Sequence, residues 1–280
     1  MEQGEGGDTV DELPNVLWIG GPPGSGKSTA ARTLARRHGL RWYNSDTRTW
    51  THRDRALAAG DPAALRFEEL TPAQRAALPP AERHALDLPV ERGRMTVDDL
   101  RALPAAPLTI AEGTLVTPAM LPPGAADRAV WLTLSPREQR ARLEARHGPG
   151  AVPELYLYLR EVIEAELDRA DVRRIVVDGL TPEQTAAEVE KVFAGPLAEG
   201  PTADSAVERR ALLRYANQAV VEQYETVSAR PWCTLDLHAT VVAFACECGA
   251  PECTADVDLP VADLPPTPLL APTHHPADPR

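Results

Sequence analysis

The stretch VLWIGGPPGSGKST, Val16–Thr29, limits the possible folds most: an apolar run gives way to four glycines and two prolines, and then a lysine. The 280 residues hold only one other lysine, Lys191. Gly21, Pro22, Pro23, Gly24, Ser25, Gly26, Lys27 and Ser28 fit the pattern G-x-x-x-x-G-K-S/T between an apolar run and a helical one. That order predicts a strand, a tight loop and a helix whose N-terminus faces the loop. Backbone N–H groups can converge on an anion only where side chains stay out of the way, which Gly24 and Gly26 allow. Lys27 can reach β- and γ-phosphates, Ser28 can offer its hydroxyl to Mg2+, and the helix start through Thr29 adds a partial positive charge. Gly21 to Thr29 are therefore the residues expected to hold ATP with Mg2+. The bland alternative is a glycine-rich turn with an incidental lysine.

Short apolar runs alternate with helical patterns along the next hundred and fifty residues or so. Val16–Gly20, Leu40–Asn44, Leu108–Ala111, Ala129–Leu134 and Arg174–Val177 read as strands of a parallel sheet covered on both faces. Helix starts are marked by a hydroxyl residue, then Pro, then Glu or Gln at the third helical position: Thr71-Pro72, Ser135-Pro136 and Thr181-Pro182, with Thr96-Val97-Asp98-Asp99 as a looser version. Strand and helix in alternation after a glycine-rich first turn predict an α/β fold. Residues 47–107 break the rhythm. They are rich in Ala, Leu, Arg and Glu and interrupted by prolines, so they read as several short helices inserted between the second and third strands.

Near Ala194–Asp204 the sequence AGPLAEGPTAD has a linker's composition. It divides a domain of residues 1–197 from a C-terminal segment, 198–280, that combines a helix with a Cys-rich tail. Net charge is −12. Residues 198–280 hold 5 Arg against 12 Asp or Glu, giving −7, and the remainder, 24 cations against 29 acids, gives −5. Nothing in that balance suggests the basic face with which proteins grip nucleic acid. The N-terminal MEQGEGGDTVDELPN is acidic and lacks the apolar segment of a signal peptide, and no apolar run is long enough to span a bilayer. A cytoplasmic location without membrane contact is the expectation.

Four features together resemble the small P-loop kinases, the broad group of nucleoside monophosphate, shikimate and gluconate kinases, chloramphenicol phosphotransferases and zeta-toxin-like kinases. They are GGPPGSGKST, Asp46 in WYNSDTRTW, the pair Glu112-Gly113 ending the third strand, and the Arg-rich SPREQRARLEAR after the fourth. The resemblance covers about residues 14–195 and implies a P-loop NTPase fold with a five-stranded sheet in the order 2-3-1-4-5. It also implies an ATP- and Mg-dependent transfer of the γ-phosphoryl group to a hydroxyl of a small molecule. Asp46 would orient the acceptor hydroxyl and take its proton; its alternative role is to cap the helix that follows. Glu112 would sit beside the metal, the alternative being an exposed carboxylate at a strand end. Of the lid arginines 137, 140, 142 and 146, Arg137 and Arg142 are the candidates to reach the transferring group, although Glu138 and Arg142 are also spaced for an ordinary surface pair. Arg48, His52 and Arg53, with Arg55, would face an anionic or polyhydroxylated acceptor, or simply form a solvated helix face.

Shikimate kinases carry a glycine triplet where this chain has Glu112-Gly113-Thr114-Leu115, and monophosphate kinases often have Asp-Gly followed by an Arg. Neither substrate carries over. Two other readings stand beside the small-molecule kinase: a nucleotide kinase, and a nucleotide-dependent ATPase switch whose tail binds a protein partner.

The tail FACECGAPECTADVDL spaces Cys246, Cys248 and Cys253 as C-x-C-x4-C. Clustered thiols in a reducing compartment point to a metal, the alternative being free cysteines in a small β unit; zinc wants a fourth ligand, for which Cys233, His238, His274 and His275 compete. This segment resembles short actinobacterial-type stretches of the form F-x-C-E-C-x4-C followed by A-P-x-H, a resemblance that implies His274 as the fourth ligand. The Glu-Tyr stretch usual between the last Cys and the His is replaced here by LPVADLPPTPLL.

Overall fold

The computed structural model describes residues 13–277. The acidic N-terminal stretch read above for the absence of a leader lies almost wholly outside them. Five parallel strands form the central sheet in the order β2-β3-β1-β4-β5: β1 Val16–Gly20, β2 Arg41–Asn44, β3 Thr109–Glu112, β4 Ala129–Thr133 and β5 Arg174–Val176. Alternation along β1 builds two cores at once. Leu17 and Ile19 join Leu34, Ile110, Leu132, Val189 and Phe193 on one face, while Val16 and Trp18 join Val97, Leu100, Trp131 and Ile163 on the other. Helices α1 (Lys27–His38) and α9 (Pro182–Val192) cover the first face, and the second is covered by α6 (Pro89–Ala102) and α8 (Glu154–Leu167). β5 departs from the expectation of a strand buried on both faces. It is the sheet edge, and Val176 is 67% exposed.

Five helices fill the insertion between β2 and β3: α2 (Thr49–Ala58), α3 (Pro62–Glu69), α4 (Pro72–Ala77), α5 (Pro80–Leu86) and α6. Proline stands at the start of all but α2, where its missing N–H would be unsatisfied anyway, so each proline that breaks one helix begins the next. Thr71 and Thr181 close full capping boxes. Ser135 caps α7 (Pro136–His147) by accepting from the Glu138 N–H, but the Glu138 carboxylate pairs with Arg142 at 2.7 Å instead of closing the box. The expected helix start at Thr96 is wrong. Thr96 is buried inside α6, which begins at Pro89, and Asp99 serves a side-chain network rather than a cap.

The residues read as a linker are packed. Ala194–Glu199 form α10, the Leu108 N–H donates to the Pro201 carbonyl at 2.7 Å, and the Ala203 N–H donates to the Gly39 carbonyl at 2.8 Å. Proline and glycine there shape a close path over the end of the sheet. Beyond it runs α11 (Ala206–Ser228), 23 residues long, and then an antiparallel pair, β6 (Val241–Ala245) with β7 (Asp256–Pro260). α11 lies along the insertion: Arg48 pairs with Glu222, and just past the helix Arg230 pairs with Asp54 and Glu68. Trp232 packs its ring against Trp50 and Phe67, at 5.6 and 6.1 Å between centroids. At the other side, Asp256 of β7 receives Arg32 and Arg36 of α1 at 2.6 and 2.5 Å. Among the described residues no helix is long and apolar enough to cross a membrane.

Candidate functional site

The loop between β1 and α1 frames a cavity of about 600 Å3 lined by Gly24, Gly26, Lys27, Ser28 and Thr29 on one side and Asn44, Asp46, Asp87 and Arg92 on the other. Gly26, with φ 86°, sits in the left-handed region as the residue before α1, which an L side chain enters only at a cost. The first-turn N–H groups of α1 are thereby left facing the cavity. Lys27 is only 6% exposed yet lines that cavity. Gln139 of α7 locks the loop, its amide donating to the Pro23 carbonyl and to that of Tyr156, both at 3.0 Å.

Glu112 is the central acid. It is fully buried at the end of β3, and the Ser28 hydroxyl donates to its Oε2 at 3.0 Å while Oε1 has no hydrogen-bond partner. Burial raises its carboxyl to about 7, helped by the nearby Asp46 and opposed by the Lys27 ammonium. The alternative of an exposed strand-end carboxylate is excluded. A buried carboxylate with a free oxygen, joined to a hydroxyl at a phosphate-type loop, is the donor set that a hard cation such as Mg2+ selects.

Asp46 reaches this place because of Gly113. A Cβ at Gly113 would run into the Ser45 hydroxyl, so only glycine lets the Ser45–Arg48 turn pack against the end of β3. The helix-capping alternative for Asp46 does not hold, because Asn44 is the cap and its side chain accepts from the Asp46 N–H at 2.8 Å. The Asp46 side chain is left lining the cavity.

Other expected residues lie elsewhere. Arg48 is held by Glu222 and by Tyr215 of α11. His52, 1% exposed, pairs through Nε2 with Asp99 at 2.8 Å, and burial pushes its imidazole down. Arg53 is equally buried, donates to the Leu86 carbonyl at 2.8 Å and stacks 3.6 Å from the centre of the Phe67 ring; burial pushes it down to about 10. None of the three lines the cavity: Arg48, at the end of the Ser45–Arg48 turn, is drawn to α11, while His52 and Arg53 of α2 are turned onto the other helices of the insertion. Arg137 is exposed and also outside the lining, whereas Arg142 lines it and donates to the Val177 carbonyl at 2.7 Å.

Arg146, named among the lid arginines but not chosen, lines the cavity, as do Arg92, Asp87, His84 and Thr49, which the sequence did not single out. Arg92 is the most informative of them. It is 5% exposed, donates to the Thr49 hydroxyl at 2.6 Å, keeps an Nε without a partner, and feels the charges of Asp46 and Asp87. An arginine beside Gly93 in VERGRM carries no spacing signal, and only the fold brings it opposite Asp46.

A second cluster lies in the tail. Ligand atoms of Cys246, Cys248, Cys253 and His274 all fall within 4.8 Å of one another, with His274 Nδ1 at 3.4 Å from Cys246 Sγ and 3.5 Å from Cys253 Sγ. Cys233, His238 and His275 are not in it. Alternation past β6 explains the placement: Cys246 and Cys248 turn one way, while Glu247 turns onto α11, where it meets Arg214 and Asn217, both at 2.7 Å. Burial and the neighbouring thiols raise the Cys253 thiol to about 12. Tetrahedral zinc with sulfur at about 2.3 Å spaces its sulfurs by roughly 3.8 Å, so these four residues could hold such an ion.

No protein-family model matches the chain, and no curated protein matches it. Among solved structures, one described as the crystal structure of TT1252 from Thermus thermophilus is similar at 21% identity, over 64% of this chain and 96% of that one, with a TM-score of 0.41.

Proposed function

We propose that the protein is a phosphotransferase that moves the γ-phosphoryl group of ATP to a hydroxyl of a small molecule. The observation that carries this reading is the meeting of Lys27 and Ser28 with Asp46 and Arg92 across one cavity, with buried Glu112 directly behind the Ser28 hydroxyl. Phosphoryl transfer asks a protein mainly for positioning and charge stabilisation. The loop N–H groups and Lys27 hold the β- and γ-phosphates, and Arg142 and Arg146 approach from α7. Ser28 and Glu112 would hold Mg2+, which supplies charge neutralisation at the phosphate oxygens when bound. Asp46 orients the acceptor hydroxyl and takes its proton as the new oxygen–phosphorus bond forms and the bond to the ADP oxygen breaks. Arg92 holds the acceptor opposite Asp46. The Cys246, Cys248, Cys253 and His274 centre takes zinc in a structural role, fixing the tail that braces α1 and the insertion.

Incubating the full chain with γ-labelled ATP and a size-fractionated metabolite extract tests the reading. Label on a metabolite, lost in Asp46→Asn with ATP affinity unchanged, supports it. Label only in inorganic phosphate, indifferent to that substitution, would overturn it in favour of a nucleotide-dependent switch. Metal analysis of the purified protein should find one zinc per chain, lost in Cys253→Ser.

A further inference from the structure

The cavity at the loop continues beyond Asp46. His84, Thr114, Leu115 and Leu159 line it and also line a second chamber of about 1200 Å3, so the two spaces share a neck. Thr114 and Leu115 directly follow Glu112 and Gly113, which puts the neck on the side of the loop where the transferred group would leave. Arg142, Arg146 and the loop itself belong only to the first space.

The two spaces differ in chemistry. The first presents Asp46, Asp87 and Arg92, the last buried and with its Nε free. The second is walled by Val90 and Val97 of α6, Met120 and Pro122 of the segment after β3, and Val162 and Ile163 of α8. Val90 is 58% exposed, an apolar side chain left in water at a chamber wall. Charged groups are confined to a few positions and several are engaged: Asp98 with Arg101 at 3.2 Å, and Glu166 accepting from the Ala119 N–H at 3.2 Å. A wholly polar acceptor would fill the first space and leave those walls wet. Ligand pockets bury most of their occupant against apolar walls and orient it with a few polar groups.

We propose that the acceptor is an amphipathic alcohol, with a hydroxylated head between Asp46 and Arg92 and an apolar body in the second chamber. This inference rests on the phosphotransfer reading of the first space, and its test keeps the two apart. The probes are 1,2-alkanediols from ethanediol to 1,2-decanediol. Their binding to the full chain with Mg2+ and the β,γ-imido analogue of ATP is followed by calorimetry, and label transfer from γ-labelled ATP is followed separately. The dissociation constant should tighten by up to about fourfold per added methylene until the chamber is full. Val162→Asp and the milder Met120→Ser should flatten that dependence while leaving affinity for the ATP analogue within twofold. Affinity independent of chain length, affinity unchanged in both variants, or displacement of long diols by the nucleotide alone would overturn the assignment. Label transfer without length dependence sinks the chamber and leaves the phosphotransfer reading standing; length-dependent binding with no label on any diol supports the chamber and counts against transfer.

Discussion

At the loop end of the cavity a phosphate would meet mostly backbone, the N–H groups between Gly21 and Thr29 set by one turn and one helix start. At the insertion end the side chains come from three places in the chain: Asp46 from the Ser45–Arg48 turn, His84 and Asp87 from the end of α5, and Arg92 from α6. The first kind of site is carried by a dozen consecutive residues and tolerates change around it. The second exists only when five short helices and α11 are correctly docked. The loop end can therefore stay constant while the insertion end is rebuilt, and in the phosphotransfer reading proposed above that is how one scaffold would serve many acceptors.

Four measurements would break or sharpen that contrast. The largest effect is expected for Asp46→Asn, which should lower phosphoryl transfer by about 10^2 to 10^4 while nucleotide affinity, measured by calorimetry, stays put. A matching loss of nucleotide affinity would show that the two ends are not separable. Glu112→Gln comes next. With its carboxyl raised to about 7, folded Glu112 keeps a proton that the unfolded chain has released from about pH 4.5 upward. Stability of the ligand-free protein should accordingly fall as pH rises through that window, by up to about 3 kcal/mol, and urea titrations of Glu112→Gln should lack the fall. Equal pH dependence in both proteins would mean that the acid is not buried as described.

Trp232→Ala should cost about 2 kcal/mol, since it removes one ring of the Trp50, Phe67 and Trp232 cluster from a half-buried site. Hydrogen exchange should locate the loosening in α2 and α3 and leave α1 protected. Asp256→Ala, at the loop end, should cost less than about 1 kcal/mol, because the Arg32 and Arg36 pairs are partly solvated. If the order of these last two were reversed, the loop end would be the one that depends on the tail.

Legibility in the sequence follows the same division. Each strand of the sheet to within a residue, the loop, the capping of Thr71 and Thr181 and the three clustered cysteines rest on local pattern or fixed spacing, while the sheet order and the choice of His274 come from resemblance alone. Arg48, His52 and Arg53 were misplaced because a helix after Asp46 has no spacing that tells a cleft face from a packed one; Phe67, Asp99 and Glu222, far along the chain, decide it. Arg92 was missed for the converse reason, its partners Thr49, Asp46 and Asp87 being brought to it by three different elements. The segment 194–204 misled through composition: proline and glycine suit a close-packed crossing as well as a free one.

Since α11 touches the insertion through Glu222 and the Cys-rich loop through Asn217, it ties the described tail to the rest of the fold at two places. Scissors placed before residue 198 would spare the strands of the sheet and the loop but strip Arg48 of Glu222 and Tyr215, and Trp50 of the Trp232 ring. The insertion would then present to water the surface that α11 and the segment through Trp232 cover in the full chain. For anyone dissecting this molecule, the five helices between β2 and β3 are therefore a unit only together with α11 and the residues through Trp232.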